Sequence, residues 1–213
     1  MRRCRPADSR RPVSPSVPAG AIVLALAALA LLAALTALAA TGCGGGAPTG
    51  GVEHYANADY RFSLDIDRRL TEWRTATAAG GAAFEVSFVD AAVPAAGDRH
   101  PDALTVSVVD TGTTPTSQEA AQLTALLAKL GTAMVARMGP DAQAGTVSNV
   151  TLNGLSGVVV PFAVTVAGVR QVGWLYLLVA GGHIYALTAA ATTDQWDTYR
   201  PLFTSAIDSF RVS

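Results

Sequence analysis

From residue 53 onward the spacing of hydrophobic and polar positions changes several times, and each change marks an element. Tyr60, Phe62, Leu64 and Ile66 alternate with Arg61, Ser63, Asp65 and Asp67, which predicts a strand with one buried face. Asn57-Ala58-Asp59 ahead of it supplies turn chemistry, so Glu53 to Ala56 is expected to form the first arm of a hairpin. Phe84, Val86 and Phe88 alternate with Glu85 and Ser87, and Leu104, Val106 and Val108 repeat the pattern, with Ala91 to Asp102 between them as an exposed loop. The period then lengthens. Ala120, Leu123, Leu127, Leu130, Met134 and Met138 fall on one face at helical spacing, Thr116 with Glu119 matches a capping box, and Gly139-Pro140 stops the helix. Those Leu and Met side chains are expected in the core.

Four more strands are predicted over Thr146 to Leu152, Gly157 to Val166, Val169 to Val179 and His183 to Ala190. Asn153-Gly154, Ala167-Gly168 and Gly181-Gly182 join them as short antiparallel turns. Val158, Val160, Phe162, Val164 and Val166 share a face, whereas Val172 to Val179 is apolar on both, which calls for cover on both sides of the sheet. Pro161 cannot donate to a ladder and is expected at an edge or a bulge. Trp174, in the middle of the doubly apolar run, is expected in the core. A last helix is expected from near Thr192, with Gln195 closing a second capping box, an apolar stripe of Trp196, Tyr199, Phe203 and Ile207, and a kink or restart at Pro201. A mostly antiparallel sheet covered by two helices follows, an α+β fold.

Composition changes this picture at one place. Half of the 213 residues are hydrophobic, but the excess sits in Ala21 to Ala40, an uncharged apolar run preceded by Arg2, Arg3, Arg5, Arg10 and Arg11. A basic segment, an apolar segment and a small-residue exit describe a secretory signal. Ala40-Thr41-Gly42 before Cys43 resembles a lipobox, with Ala40 where leucine is usual. Residues 1–42 are therefore expected to be a lipoprotein signal peptide, 43–52 a flexible Gly-rich tether and 53–213 a single domain, with lipid on Cys43. Two or three acyl chains hold a protein at a bilayer where one holds it marginally. The alternative is an uncleaved apolar helix of type II orientation, since about 20 apolar residues cross a ~30 Å hydrocarbon core. Either anchor puts the domain on the extracytoplasmic face of the cell membrane. The Ser9-Arg10-Arg11 pair faintly resembles a twin-arginine signal, and the general secretory route is the expected one.

Charge and cysteine usage narrow the function. The five leader arginines against Asp8 make +4, so with the whole chain at −1 the remainder carries −5. A mildly acidic domain with one lysine, Lys129, lacks the basic footprint of nucleic-acid binding. The cysteines are Cys4 and Cys43; cleavage before Cys43 leaves none inside the domain and no internal disulfide. Heavy use of Ala, Gly and Arg with a single Lys points to a GC-rich genome of the actinobacterial type.

The run His54-Tyr55-Ala56-Asn57-Ala58-Asp59-Tyr60-Arg61-Phe62-Ser63-Leu64, the tryptophan Trp73, and the ending Tyr185-Ala186-Leu187-Thr188 to Ser209-Phe210-Arg211-Val212 resemble the PsbP-like superfamily. Within it they resemble actinobacterial lipoproteins of the LpqN type. The resemblance spans nearly all of Glu53 to Ser213 and implies an α-β-α sandwich built on an antiparallel sheet. The family often places a proline before the tryptophan, where this chain has Asp67-Arg68-Arg69-Leu70-Thr71-Glu72. The ion-binding role of the photosynthetic members has no residue here to carry it.

No catalytic, cofactor or metal constellation emerges. His54, His100 and His183 lack i, i+4 pairing or a neighbouring Cys or Glu ligand, which leaves zinc unsupported. Ser156, in Asn153-Gly154-Leu155-Ser156-Gly157, lies in a hairpin and not on the strand-to-helix turn that a nucleophile elbow needs. Asp65, Asp67 and Glu72 could pair as acids, but alternating acids on a strand are usually a solvated face. The expectation is a non-enzymatic binding or accessory module of the cell envelope, monomeric, reaching the membrane through Cys43 and acting on an envelope protein partner. A carrier of lipid or another hydrophobic ligand is the alternative; it would need a cavity of about 300–1,000 Å³.

Overall fold

The computed structural model describes residues 51–76, 82–90, 102–112, 117–166 and 168–213. The leader, Cys43 and its tether, residues 91–101 with His100, the Thr116 cap and Ala167 lie outside the described residues. In chain order the elements are β1 (Val52–Asn57), β2 (Phe62–Asp67), β3 (Leu70–Ala76), β4 (Phe84–Asp90), β5 (Ala103–Asp110), α1 (Ser117–Met138), β6 (Gln143–Ala144), β7 (Ser148–Leu152), β8 (Leu155–Val166), β9 (Val169–Ala180), β10 (His183–Thr192), α2 (Trp196–Ser209) and β11 (Arg211–Val212). The large sheet runs β3-β4-β5-β10-β9-β8, with β6 and β7 both pairing along the outer edge of β8. A small sheet, β1-β2-β11, lies apart from it.

The β1–β2 hairpin forms as its alternation requires. The Asn57 side chain accepts from Tyr60 N at 3.0 Å, and Arg61 takes a left-handed conformation with φ 53°. Asn153 and Gly154 both have positive φ, 51° and 86°, which suits a two-residue connection whose twist matches the strands. Val158, Val160, Phe162 and Val164 do share a buried face. With Leu175 and Leu177 they meet Leu127, Leu130, Met134 and Val135 of α1. α1 comes so near β8 at Gly131 that a Cβ there would lie 2.8 Å from Val160 Cγ2.

The opposite face is covered differently from the expected single helix. Val86, Phe88, Leu104, Val106 and Leu187 pack against Tyr199, Leu202, Phe203 and Ile207 of α2, but also against Phe62, Leu64 and Ile66 of β2. A small sheet and a helix thus share the second layer. β11 adds to β2 through Arg211↔Ser63 and Val212↔Phe62, so the last described strand completes the sheet that β1 and β2 begin.

Other expectations are corrected. β3 was not expected as a strand; its pairing with β4 shifts register between Glu72 and Arg74, a bulge at Trp73 that masks the period-two signal. Thr192 ends β10 instead of opening a helix, because the ladder with β9 continues to Thr192↔Gln171. Gln195 is the cap of α2 with no side-chain cap hydrogen bond, and the helix runs on through Pro201 without a restart. Asp102 is not exposed loop; it is 3% exposed and its Oδ1 accepts from Thr192 N at 2.7 Å. Pro161 lies between the stretches of β8 that pair with β6 and with β7, and its carbonyl accepts from Gly145 N at 2.7 Å. In an antiparallel strand the N–H and C=O of one residue point to the same side. The donor Pro161 lacks would therefore face the outer edge, where the ladder is already broken.

Candidate binding surface

The histidines and acids singled out in the sequence are not brought to one centre. His54 Nδ1 is 2.7 Å from Asp65 Oδ1 on the exposed side of the small sheet. Asp67 instead grips Arg69, with Nε to Oδ1 at 3.0 Å and Nη2 to Oδ2 at 3.1 Å, and this hydrogen bonding holds its carboxyl below the usual range. Glu72 is exposed on β3. His183 sits against Tyr60 and Tyr185 at ring separations of 6.0 Å, and its Nδ1 is buried with no hydrogen-bond partner among the described residues. Ser156 is exposed in the β7–β8 hairpin, paired with Thr151. Among the described residues no group of three His, Cys, Asp or Glu could hold a metal ion.

One polar cluster escaped the sequence reading, and it sits where β3 begins, β4 ends and α2 passes. Tyr199 OH donates to Asp90 Oδ2 at 2.5 Å while its ring stacks on Phe203. Burial, then the Asp90 hydrogen bond and charge, then the buried Asp102 push the phenol's pKa up, and Arg69 partly opposes them. A tyrosine held protonated beside two carboxylates is a donor that clamps α2 to the end of β4. Periodicity placed Tyr199 on the core side of its helix; nothing local could show that its hydroxyl meets an acid 109 residues away.

A pH prediction follows from that cluster. The folded-state pKa of Tyr199 is raised above 10.0, so its contribution to stability is complete below that value and is lost as pH climbs past it. Tyr199→Phe should cost about 1.5–3 kcal/mol at neutral pH, the worth of a hydrogen bond to a charged group. It should also flatten the decline in stability above pH 10.0. Urea midpoints for both proteins from neutral to alkaline pH check this, and parallel alkaline declines would refute it.

A second feature is aromatic. Trp174 of β9 and Trp196 of α2 meet edge to face at 4.8 Å, and both are half-buried. On the same face of the β8–β9 hairpin, Pro161, Ala163, Val172 and Tyr176 are also only half-buried. Among the described residues, α2 packs mainly on β2 and β10 and reaches this outer part of the sheet through Trp196. Within the doubly apolar run, Leu175 and Leu177 are buried beneath α1 whereas Val172, Trp174 and Tyr176 on the other face are half-buried, which corrects the expected burial of Trp174.

No protein-family model matches the sequence, and no curated protein does. Solved structures do. The solution structure of cyanobacterial PsbP (CyanoP) from Synechocystis superposes with a TM-score of 0.57 at 17% identity, over 81% of this chain and 98% of that one. The crystal structure of LpqN, described as involved in cell envelope biogenesis of Mycobacterium tuberculosis, gives a TM-score of 0.53 at 12% identity, over 78% of this chain and 92% of that one. Similarity at this level establishes the fold: a PsbP-like α+β architecture of antiparallel strands with two helices.

Proposed function

We propose that this protein is an extracytoplasmic lipoprotein, held at the cell membrane through Cys43, whose domain is a non-enzymatic binding or accessory module of the cell envelope. The observation that carries the reading is the conjunction of a signal-like leader ending at Cys43 with a PsbP-like domain. The fold shared with LpqN, a protein involved in cell envelope biogenesis, agrees with it. Two clusters of buried side chains, one on each face of the large sheet, favour a module over a lipid carrier. The expected partner is an envelope protein, with the domain acting as a monomer.

The test is chemical. Wild-type protein from a lipid-modifying host should carry acyl mass on a new N-terminal Cys43, and Cys43→Ser should lose both that mass and the cleavage. An intact Met1 with no acyl mass would instead establish the uncleaved helix as the anchor. Stoichiometric acyl lipid co-purifying non-covalently would replace the accessory module with the carrier.

A further inference from the structure

We propose that the half-buried face of the β8–β9 hairpin, from Val172 and Ala163 to Pro161, Trp174 and Trp196, is where the domain rests on the lipid surface that anchors it. The inference rests on the lipid-anchored reading above, with Cys43 as the anchor. Its first ground is where the chain enters. Gly51 accepts from Arg68 N at the turn joining β2 to β3. The registers Ala163↔Val172↔Ala191 and Ala190↔Ala103↔Val89↔Thr71 place the start of β3, the end of β4, the start of β5, the end of β10 and the tip of the β8–β9 hairpin at one end of the large sheet. The entry point and the hairpin tip therefore share an end.

The second ground is reach. Cys43 and Gly51 are eight chain steps apart, with seven residues between them, and fully extended this stretch spans at most ~28 Å. A compact domain of about 160 residues has a radius of gyration near ~15 Å, hence a width of about 40 Å. The anchor is shorter than the domain is wide, so the entry end is the end that meets the bilayer. At that end stand Val52 and Val169, 59% and 36% exposed and among the few exposed large hydrophobics. The third ground is chemistry. A tryptophan pair set in an apolar sheet face matches the composition of the membrane–water interface, where indole rings sit at headgroup depth. Even a weak contact is populated, because the anchor makes it intramolecular.

The test uses the mature lipid-bearing protein reconstituted in phosphatidylcholine–phosphatidylglycerol vesicles, with and without brominated acyl chains. Flotation reads the anchor, and bromine quenching of tryptophan reads the face. In wild type, and more strongly in Trp73→Phe, where only Trp174 and Trp196 emit, most of the emission should be lost in brominated vesicles. Val172→Asp should restore it with flotation unchanged; Val169→Asp at the exposed tip serves if Val172→Asp does not fold. Protein that floats with undiminished emission overturns the docking and leaves the anchor standing. Emission undiminished together with disulfide-linked pairs of Val172→Cys overturns it in favour of a second copy on the same face. Protein that does not float overturns both.

Discussion

Gly173→Ala is expected to destabilise the domain by more than ~3 kcal/mol. A Cβ at this position would stand 2.1 Å from the carbonyl oxygen of Ala189 and 2.8 Å from Cζ of Phe162. The first obstacle is backbone of the neighbouring strand, and no side-chain rotation relieves it. Since β9 is paired on both sides, with β10 and with β8, making room means opening a ladder in the middle of the sheet. Overpacking usually costs about 1–3 kcal/mol and occasionally more; here backbone must move, so a loss above ~3 kcal/mol is expected from a total near 5–15 kcal/mol. Gly154→Ala is the control. It sits at φ 86° with nothing within 4 Å of its Cβ, so only backbone strain remains, about 1–2 kcal/mol. Circular dichroism with urea titration checks the pair, and a Gly173→Ala midpoint as high as that of Gly154→Ala would contradict the packing described.

The second large effect is expected at Phe203. Its side chain has no exposed surface and packs against Tyr199 at 5.9 Å and Trp196 at 6.4 Å. Phe203→Ala should cost about 3–5 kcal/mol, as large-to-small core changes of aromatic residues do. Trp174→Ala should cost less despite the bigger ring. Trp174 is open to solvent on one side, so its loss leaves little of the enclosed cavity that removal of the fully buried Phe203 ring creates. Equilibrium denaturation of the two variants gives the ranking. Equal costs would mean that Trp174 is as buried as mid-strand position suggests, which would also remove its face from contact with lipid.

The alternation at Tyr60 to Ile66, at Phe84 to Phe88 and at Val158 to Val166 located strands, and the spacing from Leu123 to Met138 located α1, because a side chain's direction follows from its own backbone period. The two-residue turns at Asn153-Gly154 and Gly181-Gly182 were legible for the same local reason. The signal-like leader and Cys43 are likewise a matter of sequence alone. What sequence could not reach was anything set by partners far along the chain. β3 is recognised only by its bulged pairing with β4. Thr192 belongs to β10 because Gln171 and the buried Asp102 hold it there, against a local pattern that favours a helix start. Val172 to Val179 carries apolar side chains on both faces, but an apolar side chain does not specify its cover. That was decided in three dimensions: α1 spread across β8 and β9, α2 settled over β10 beside the small sheet, and the opposite side of the same hairpin was left half-open. Burial of a strand face depends on the width and placement of what packs on it, a non-local property that periodicity does not encode.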